Sequence, residues 1–167
     1  IIDAPGQRDF VKNMITGPSQ ADAAVLVVAA REGIMAQTKE HLWLSKVLGV
    51  EQIIIALNKM DATKPEYSEE VFNKTKEEVQ KMLKMVGYRD EQVQIIPVSA
   101  LKGDNIDKAS SNLPFHKGDT LVSALDNLNS PKGAEGLPLR MAVQDVYNIT
   151  GIGAVPVGRI ECGTMNA

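Results

Sequence analysis

Five apolar residues in a row, Ile53-Ile54-Ile55-Ala56-Leu57, run straight into Asn58-Lys59-Met60-Asp61. A strand with one wet face needs an apolar residue only at every second position. A run that is apolar throughout, β-branched and this short reads as a strand covered on both faces, as in a parallel sheet. The polar tetrad then falls at the carboxyl end of that strand. In open α/β sheets, that is the edge where ligands bind.

Two side chains of the tetrad suit a planar ligand. A carboxylate such as Asp61 can accept two parallel N–H bonds. Guanine offers such a pair, N1–H beside the exocyclic N2–H; adenine does not. Asn58 carries both donor and acceptor atoms and can tie a ligand to neighbouring loops. Lys59 can lay its aliphatic stem along a base while its head stays wet. Taken alone, the tetrad reads more readily as a surface turn rich in turn-forming residues, and the rest of the chain has to decide.

The rest of the chain alternates in the same sense. Ile1-Ile2 reads as a strand stub, Asp3 to Gln7 as a loop, and Arg8 to about Ile15 as a helix closed by Gly17-Pro18. Ala23–Ala30 is a second buried strand. A helix over about Gln37–Leu48 follows, with Leu44, Val47 and Leu48 as its apolar stripe. Ser68 is expected to cap a long helix, with Glu69 and Glu70 in its first turn. Val71, Thr75, Val79, Met82, Leu83 and Val86 recur at helical spacing before Gly87. Val93–Val98 is a further strand. A last helix spans about Thr120–Leu128, with Leu121, Leu125 and Leu128 inward. This alternation implies an α/β fold with a parallel sheet and helices on both faces. Residues 1–129 form that domain, and the Ser-, Pro-, Gly- and Lys-containing stretch 130–138 is a linker. Residues 139–167 hold two strands around Gly151-Ile152-Gly153, the start of an all-β domain.

Composition limits what such a chain does. Its 167 residues are 44% hydrophobic and 23% charged, an ordinary globular balance. A net charge of −3 gives no bulk attraction to nucleic acid. No apolar run approaches membrane-spanning length, so no membrane partner is expected. The single Cys162 excludes an internal disulfide and fits a reducing compartment. His41 and His116 have no second ligand at metal spacing. Trp43 is expected in the core or at a helix–helix contact, and Phe115 over a hydrophobic patch. The opening Ile1-Ile2-Asp3, without an initiator Met, reads as a piece of a longer protein.

Several motifs now fall at one sheet edge. Asp3-Ala4-Pro5-Gly6, with Gln7 next, follows the first strand; Asn58-Lys59-Met60-Asp61 follows the third; Ser99-Ala100-Leu101 follows the fourth. The order D-x-x-G, N-K-x-D, S-A-L is that of GTP-binding domains. The wider wording of Arg8 to Gly17, Gln20 to Ala23, Gly103-Asp104-Asn105, Gln144 to Tyr147 and Val155 to Arg159 resembles the translation elongation factor 1-alpha family of archaea and eukaryotes. The likeness covers essentially the whole chain. It implies a P-loop GTPase-type sheet followed by the start of a β-barrel domain, with GTP or GDP and Mg²⁺ as cofactors. It also implies aminoacyl-tRNA, the ribosome and a guanine-nucleotide exchange factor as partners.

The resemblance assigns roles as well. Asp3 would hold Mg²⁺ through a water. Gly6, with Ala4 and Pro5 in the same loop, would offer a backbone N–H to the γ-phosphate, and its loss would free the loop. Asp61 would read guanine, supported by Asn58, Lys59 and Met60. The Ala100 N–H would meet guanine O6, with Ser99 and Leu101 shaping the loop. Gln7 is the departure, because translation GTPases normally carry His there to position the attacking water. Gln serves that purpose in Ras-like GTPases, but it cannot take up positive charge. Hydrolysis stimulated by the ribosome is therefore expected to be weakened. A non-hydrolysing guanine-nucleotide-dependent binding protein is the competing reading, with rescue and termination paralogues as a further variant. A dinucleotide-binding fold is disfavoured, since no G-x-G-x-x-G follows any strand. The phosphate loop G-x-x-x-x-G-K-[ST] is absent from these residues. By itself this piece is therefore expected neither to hydrolyse GTP nor to fold robustly, and its sheet to keep an exposed edge.

Overall fold

The structure is a computed structural model that describes residues 21–129 and 136–165. The strand stub, the Asp3–Gln7 loop and the helix expected over Arg8–Ile15 lie outside the described residues. The chain divides between residues 129 and 130 into two compact units.

In the first unit, β1 (Ala23–Ala29), β2 (Gln52–Asn58) and β3 (Val93–Pro97) form a parallel sheet in the order β1-β2-β3. The register pairs Val28 with Leu57, and Leu57 in turn with Pro97. All three strands therefore end at the same edge. β2 is central, and each residue from Ile53 to Leu57 is at most 2% exposed. Full burial of such a side chain contributes about 1.5–3 kcal/mol before entropy is counted. Alternate β2 residues feed two separate cores. Ile53, Ile55 and Leu57 pack with Leu42, Phe72 and Val79 on one side, while Ile54 and Ala56 pack with Ile96, Val98 and Ala124 on the other.

Helices supply both covers. On the first face lie α1 (Ala36–Val47) and α2 (Glu69–Val86); on the second lies α3 (Leu121–Asp126). The ends of α2 are as expected. Ser68 Oγ accepts the Val71 N–H at 3.2 Å, and Gly87 closes the helix at φ +93°, where a Cβ would be strained. Thr75 Oγ1 donates to Ala30 O at 2.9 Å, tying α2 to the end of β1. Phe115 meets the Phe72 ring at a centroid distance of 5.4 Å, so it does cover apolar surface.

Some faces differ from expectation. On α1 the buried positions are Leu42 and Ser45, whereas Val47 is 76% exposed. Periodicity alone left the rotation of this short helix open, and packing against β1 and α2 chose the Leu42 side. Trp43 lies on the outer face and is half exposed, neither core nor fully covered. In α3, Ala124 is inward and Leu125 is 40% exposed. Ala124 is fully buried and packs with Ile54 and Ala56 of β2. Among the described residues β1 is covered on one face only, with Val25 and Val27 41% and 60% exposed on the other.

In the second unit, β4 (Arg140–Ile149) and β5 (Gly153–Cys162) pair antiparallel around the expected glycine turn. Gly151 and Gly153 take φ of +85° and +100°, a region that L side chains rarely adopt. Gly158 is required for another reason: a Cβ there would overlap the Ala142 carbonyl.

Candidate functional site

Two loops leave the sheet edge side by side, one after β2 and one after β3. Strand register brings them together, and a set of cross-links locks them. Asn58, the last residue of β2, turns its side chain back: Oδ1 accepts from Lys59 N at 2.7 Å and from Ala100 N at 3.0 Å. Ser99 Oγ donates to Asp61 Oδ1 at 2.6 Å. Met60 N donates to Val98 O at 3.2 Å. Residues about forty apart in the chain thus share one small platform, and Asp61 and Ala100 stand together on it.

Each residue has a distinct place. Lys59 holds a left-handed conformation, φ 64°, which turns the chain sharply out of the strand. Its Nζ lies 3.5 Å from Glu32 Oε1, an exposed pair of small energetic worth. Met60, expected among the residues that support base reading, has its side chain fully buried in the core. It anchors the loop from beneath. Ser99 is likewise fully buried, and its hydroxyl also accepts from Lys102 N at 3.3 Å. Leu101 is 83% exposed. The Ala100 N–H, expected to face a base oxygen, donates here to Asn58 Oδ1, so a ligand would have to share or replace that bond. Asn58 Nδ2 and Asp61 Oδ2 have no partner among the described residues, and both belong to the platform. Asp3, Ala4, Pro5, Gly6 and Gln7 lie outside the described residues.

Residue-by-residue reading missed two further groups, Tyr67 and Asp104. The phenol of Tyr67 donates to Asp104 Oδ2 at 2.7 Å. Asp104 Oδ1 accepts from Ser110 Oγ at 2.6 Å and from Asn112 Nδ2 at 3.2 Å. Those donors, Ser110 first and Tyr67 next, hold the Asp104 carboxyl below its ordinary range. The bond to Asp104 in turn pushes the Tyr67 phenol up to about 12. Asn105 is buried beneath and donates to Pro97 O at 3.0 Å. Gly103-Asp104-Asn105 carries part of the family resemblance, but nothing in the spacing points to Tyr67 as its partner.

Chemically, the platform combines an available carboxylate oxygen, an available amide donor and a backbone N–H, all on rigid supports. That donor and acceptor set fits one edge of a planar heterocycle carrying adjacent N–H donors beside a carbonyl. Among the described residues, no three His, Cys, Asp or Glu gather in a way that could hold a metal ion. No described helix is long and apolar enough to cross a membrane.

Residues 1–131 match the family described as "Elongation factor Tu GTP binding domain". The chain is 58% identical over 165 residues to elongation factor 1-alpha of Methanothrix thermoacetophila, covering 99% of this chain and 39% of the relative. It is 62% identical over 167 residues to elongation factor 1-alpha of Picrophilus torridus, with 99% and 39% covered. The Methanosphaera stadtmanae factor is 59% identical over 165 residues, with 99% and 40% covered. The chain thus spans about two fifths of the length of these relatives.

Proposed function

Because the chain belongs to the elongation factor Tu GTP-binding domain family, we propose that it supplies the guanine-reading part of a GTPase that delivers aminoacyl-tRNA to the ribosome. The observation that carries the reading is the interlock of the Asn58–Asp61 and Ser99–Ala100 loops, with Ser99 Oγ on Asp61 at 2.6 Å and Ala100 N on Asn58 at 3.0 Å. In this reading Asp61 accepts guanine N1–H and N2–H, and Asn58 Nδ2 donates to the ring. The Ala100 N–H meets O6 after sharing its bond with Asn58. Lys59 lines the base with its stem. Mg²⁺ and the phosphates fall to the Asp3–Gly6 loop, and an exchange factor would act by loosening that grip. Residues 1–129 serve as the nucleotide domain, 130–138 as linker, and 139–167 as the opening of a barrel that helps hold the tRNA acceptor end. The cytoplasm is the setting such a role requires.

The test uses this chain in place of the matching segment of the full-length Methanothrix relative, hereafter the graft. The graft should bind GDP and not ADP, and should bind aminoacyl-tRNA more tightly with GTP than with GDP. Equal binding of GDP and ADP would overturn the base-reading assignment. Gln7 supports the second reading, a binding protein that does not hydrolyse. Single-turnover GTP hydrolysis on ribosomes, comparing the graft with its Gln7→His variant, separates the two. Equal, ribosome-stimulated rates would remove the non-hydrolysing reading.

A further inference from the structure

Tyr67 has an unusual backbone for its type. Its φ is 54°, in the left-handed region that a bulky L residue seldom occupies. Strain of this kind persists where surrounding contacts over-determine it. Two contacts do so here: Tyr67 N donates to Met60 O at 2.9 Å, and Tyr67 OH donates to Asp104 Oδ2 at 2.7 Å. The residue therefore spans from the loop after β2 to the loop after β3.

Its far end rests on a rigid support. Asp104 and Ser99 exchange backbone hydrogen bonds in both directions, each 3.1 Å. The second oxygen of Asp104 is held by Ser110 and Asn112. Ser99, pinned in this way, aims its hydroxyl at Asp61. The contacts close into a ring running from Met60 through Tyr67, Asp104 and Ser99 to Asp61, which adjoins Met60 in the chain. No member except Asp61 needs to touch a ligand. A carboxylate that must meet two parallel N–H groups tolerates little tilt, so whatever fixes Ser99 fixes what Asp61 can discriminate.

We propose that Tyr67 and Asp104 are positioning residues whose hydrogen bond sets the discrimination between guanine and purines lacking its 2-amino group. This deepens the guanine reading above and rests on it. Loss of the Tyr67 hydroxyl frees the strut without opening the core, because its bond lies at the partly exposed rim of the site.

The experiment measures affinities of the graft for GDP and for IDP, whose base lacks the amino group, together with GDP release rates and thermal midpoints. Tyr67→Phe should lower the GDP-over-IDP preference by about three- to tenfold, only part of the worth of a charge-assisted bond, because Tyr67 acts on the base through Ser99 and Asp61. Release of GDP should quicken, with only a small fall in the midpoint. Asp104→Ala should lower the preference likewise, with a clear fall in the midpoint because Ser110 and Asn112 lose their acceptor too, and Asp104→Asn should retain part of the preference, since the amide keeps an acceptor for one of the donors. Asp61→Ala is the control for the underlying reading. If Asp61→Ala leaves the preference intact, base reading by Asp61 fails and the positioning role falls with it. If Asp61→Ala abolishes the preference while both Tyr67→Phe and Asp104→Ala leave it within twofold, only the positioning role is overturned. Equal weakening of GDP and IDP by Tyr67→Phe would also overturn it, as the mark of a merely structural contact.

Discussion

Asp61→Asn is the most informative single change, because the structure dictates which way the new amide must face. Ser99 Oγ donates to Asp61 Oδ1 at 2.6 Å and is itself buried. An Asn at this position keeps that bond only with its carbonyl oxygen toward Ser99. Its NH₂ group then occupies the place of Oδ2, the atom with no partner among the described residues. Toward guanine, a donor now faces a donor. One N–H···O⁻ bond is lost and the other becomes a neutral one. At about 1.5–3 kcal/mol for a bond to a charged group and 1.4 kcal/mol per tenfold, GDP affinity should fall by roughly a hundred- to a few thousandfold. Xanthine has a carbonyl where guanine has the 2-amino group, so the same NH₂ should bind it. Competition of GDP and XDP against a fluorescent nucleotide on the graft reads both effects. The preference should reverse in favour of XDP. Retention of GDP affinity within about threefold would sink the assignment of Asp61 to the base, since so small a loss is less than one such bond.

Other outcomes follow from the same geometry. Ser99→Ala removes the hydroxyl that orients Asp61 and should speed GDP release about tenfold in stopped-flow displacement, the worth of one charge-assisted bond. The Asp104 carboxyl is held below its ordinary value, so its stabilising contribution is full above about pH 4 and is lost as pH falls below that. The Tyr67 phenol is pushed up to about 12, so its contribution is complete below about pH 10 and is lost as pH rises through 12. Denaturant midpoints across pH should show both arms, and Tyr67→Phe should shrink the alkaline one, Tyr88 supplying the remainder. In ultraviolet difference titrations, Tyr67→Phe and Tyr88→Phe should each delete one phenol that ionises near 12, the second shifted by burial. Ile55→Ala, at a fully buried centre of β2, should cost about 2–5 kcal/mol in chemical denaturation, whereas Val47→Ala on the open face of α1 should stay within about 0.5 kcal/mol.

Much of this was legible in the chain before folding was considered. Ile53 to Leu57 is apolar at every position, and only burial on both faces accommodates that; the two separate cores on either side of β2 are its consequence. Ser68 and Gly87 mark their helix ends because capping and a left-handed turn are local chemistry, decided within a few residues. The turn at Gly151 and Gly153 is local in the same way. The wording of N-K-M-D and S-A-L marked the two loops that meet at the sheet edge for a related reason: the ends of parallel strands are also ends of sequence segments.

Tertiary structure decided what depends on partners distant in the chain. Whether Val47 or Leu42 faced inward, and whether Leu125 or Ala124 met β2, depended on the space left by other elements, which periodicity does not encode. Phe72 sits at helical spacing with Thr75 and Val79, yet only its contact with Phe115 shows why the core reaches that far. Met60 stood within a ligand-reading motif and proved to be the core anchor beneath it. The Ser99–Asp61 and Tyr67–Asp104 bonds join residues 38 and 37 positions apart. Sequence determined the kinds of side chain available for those bonds. Strand register placed them within reach, because hydrogen bonding is short-ranged and the chain that separates the partners carries no record of the distance between them.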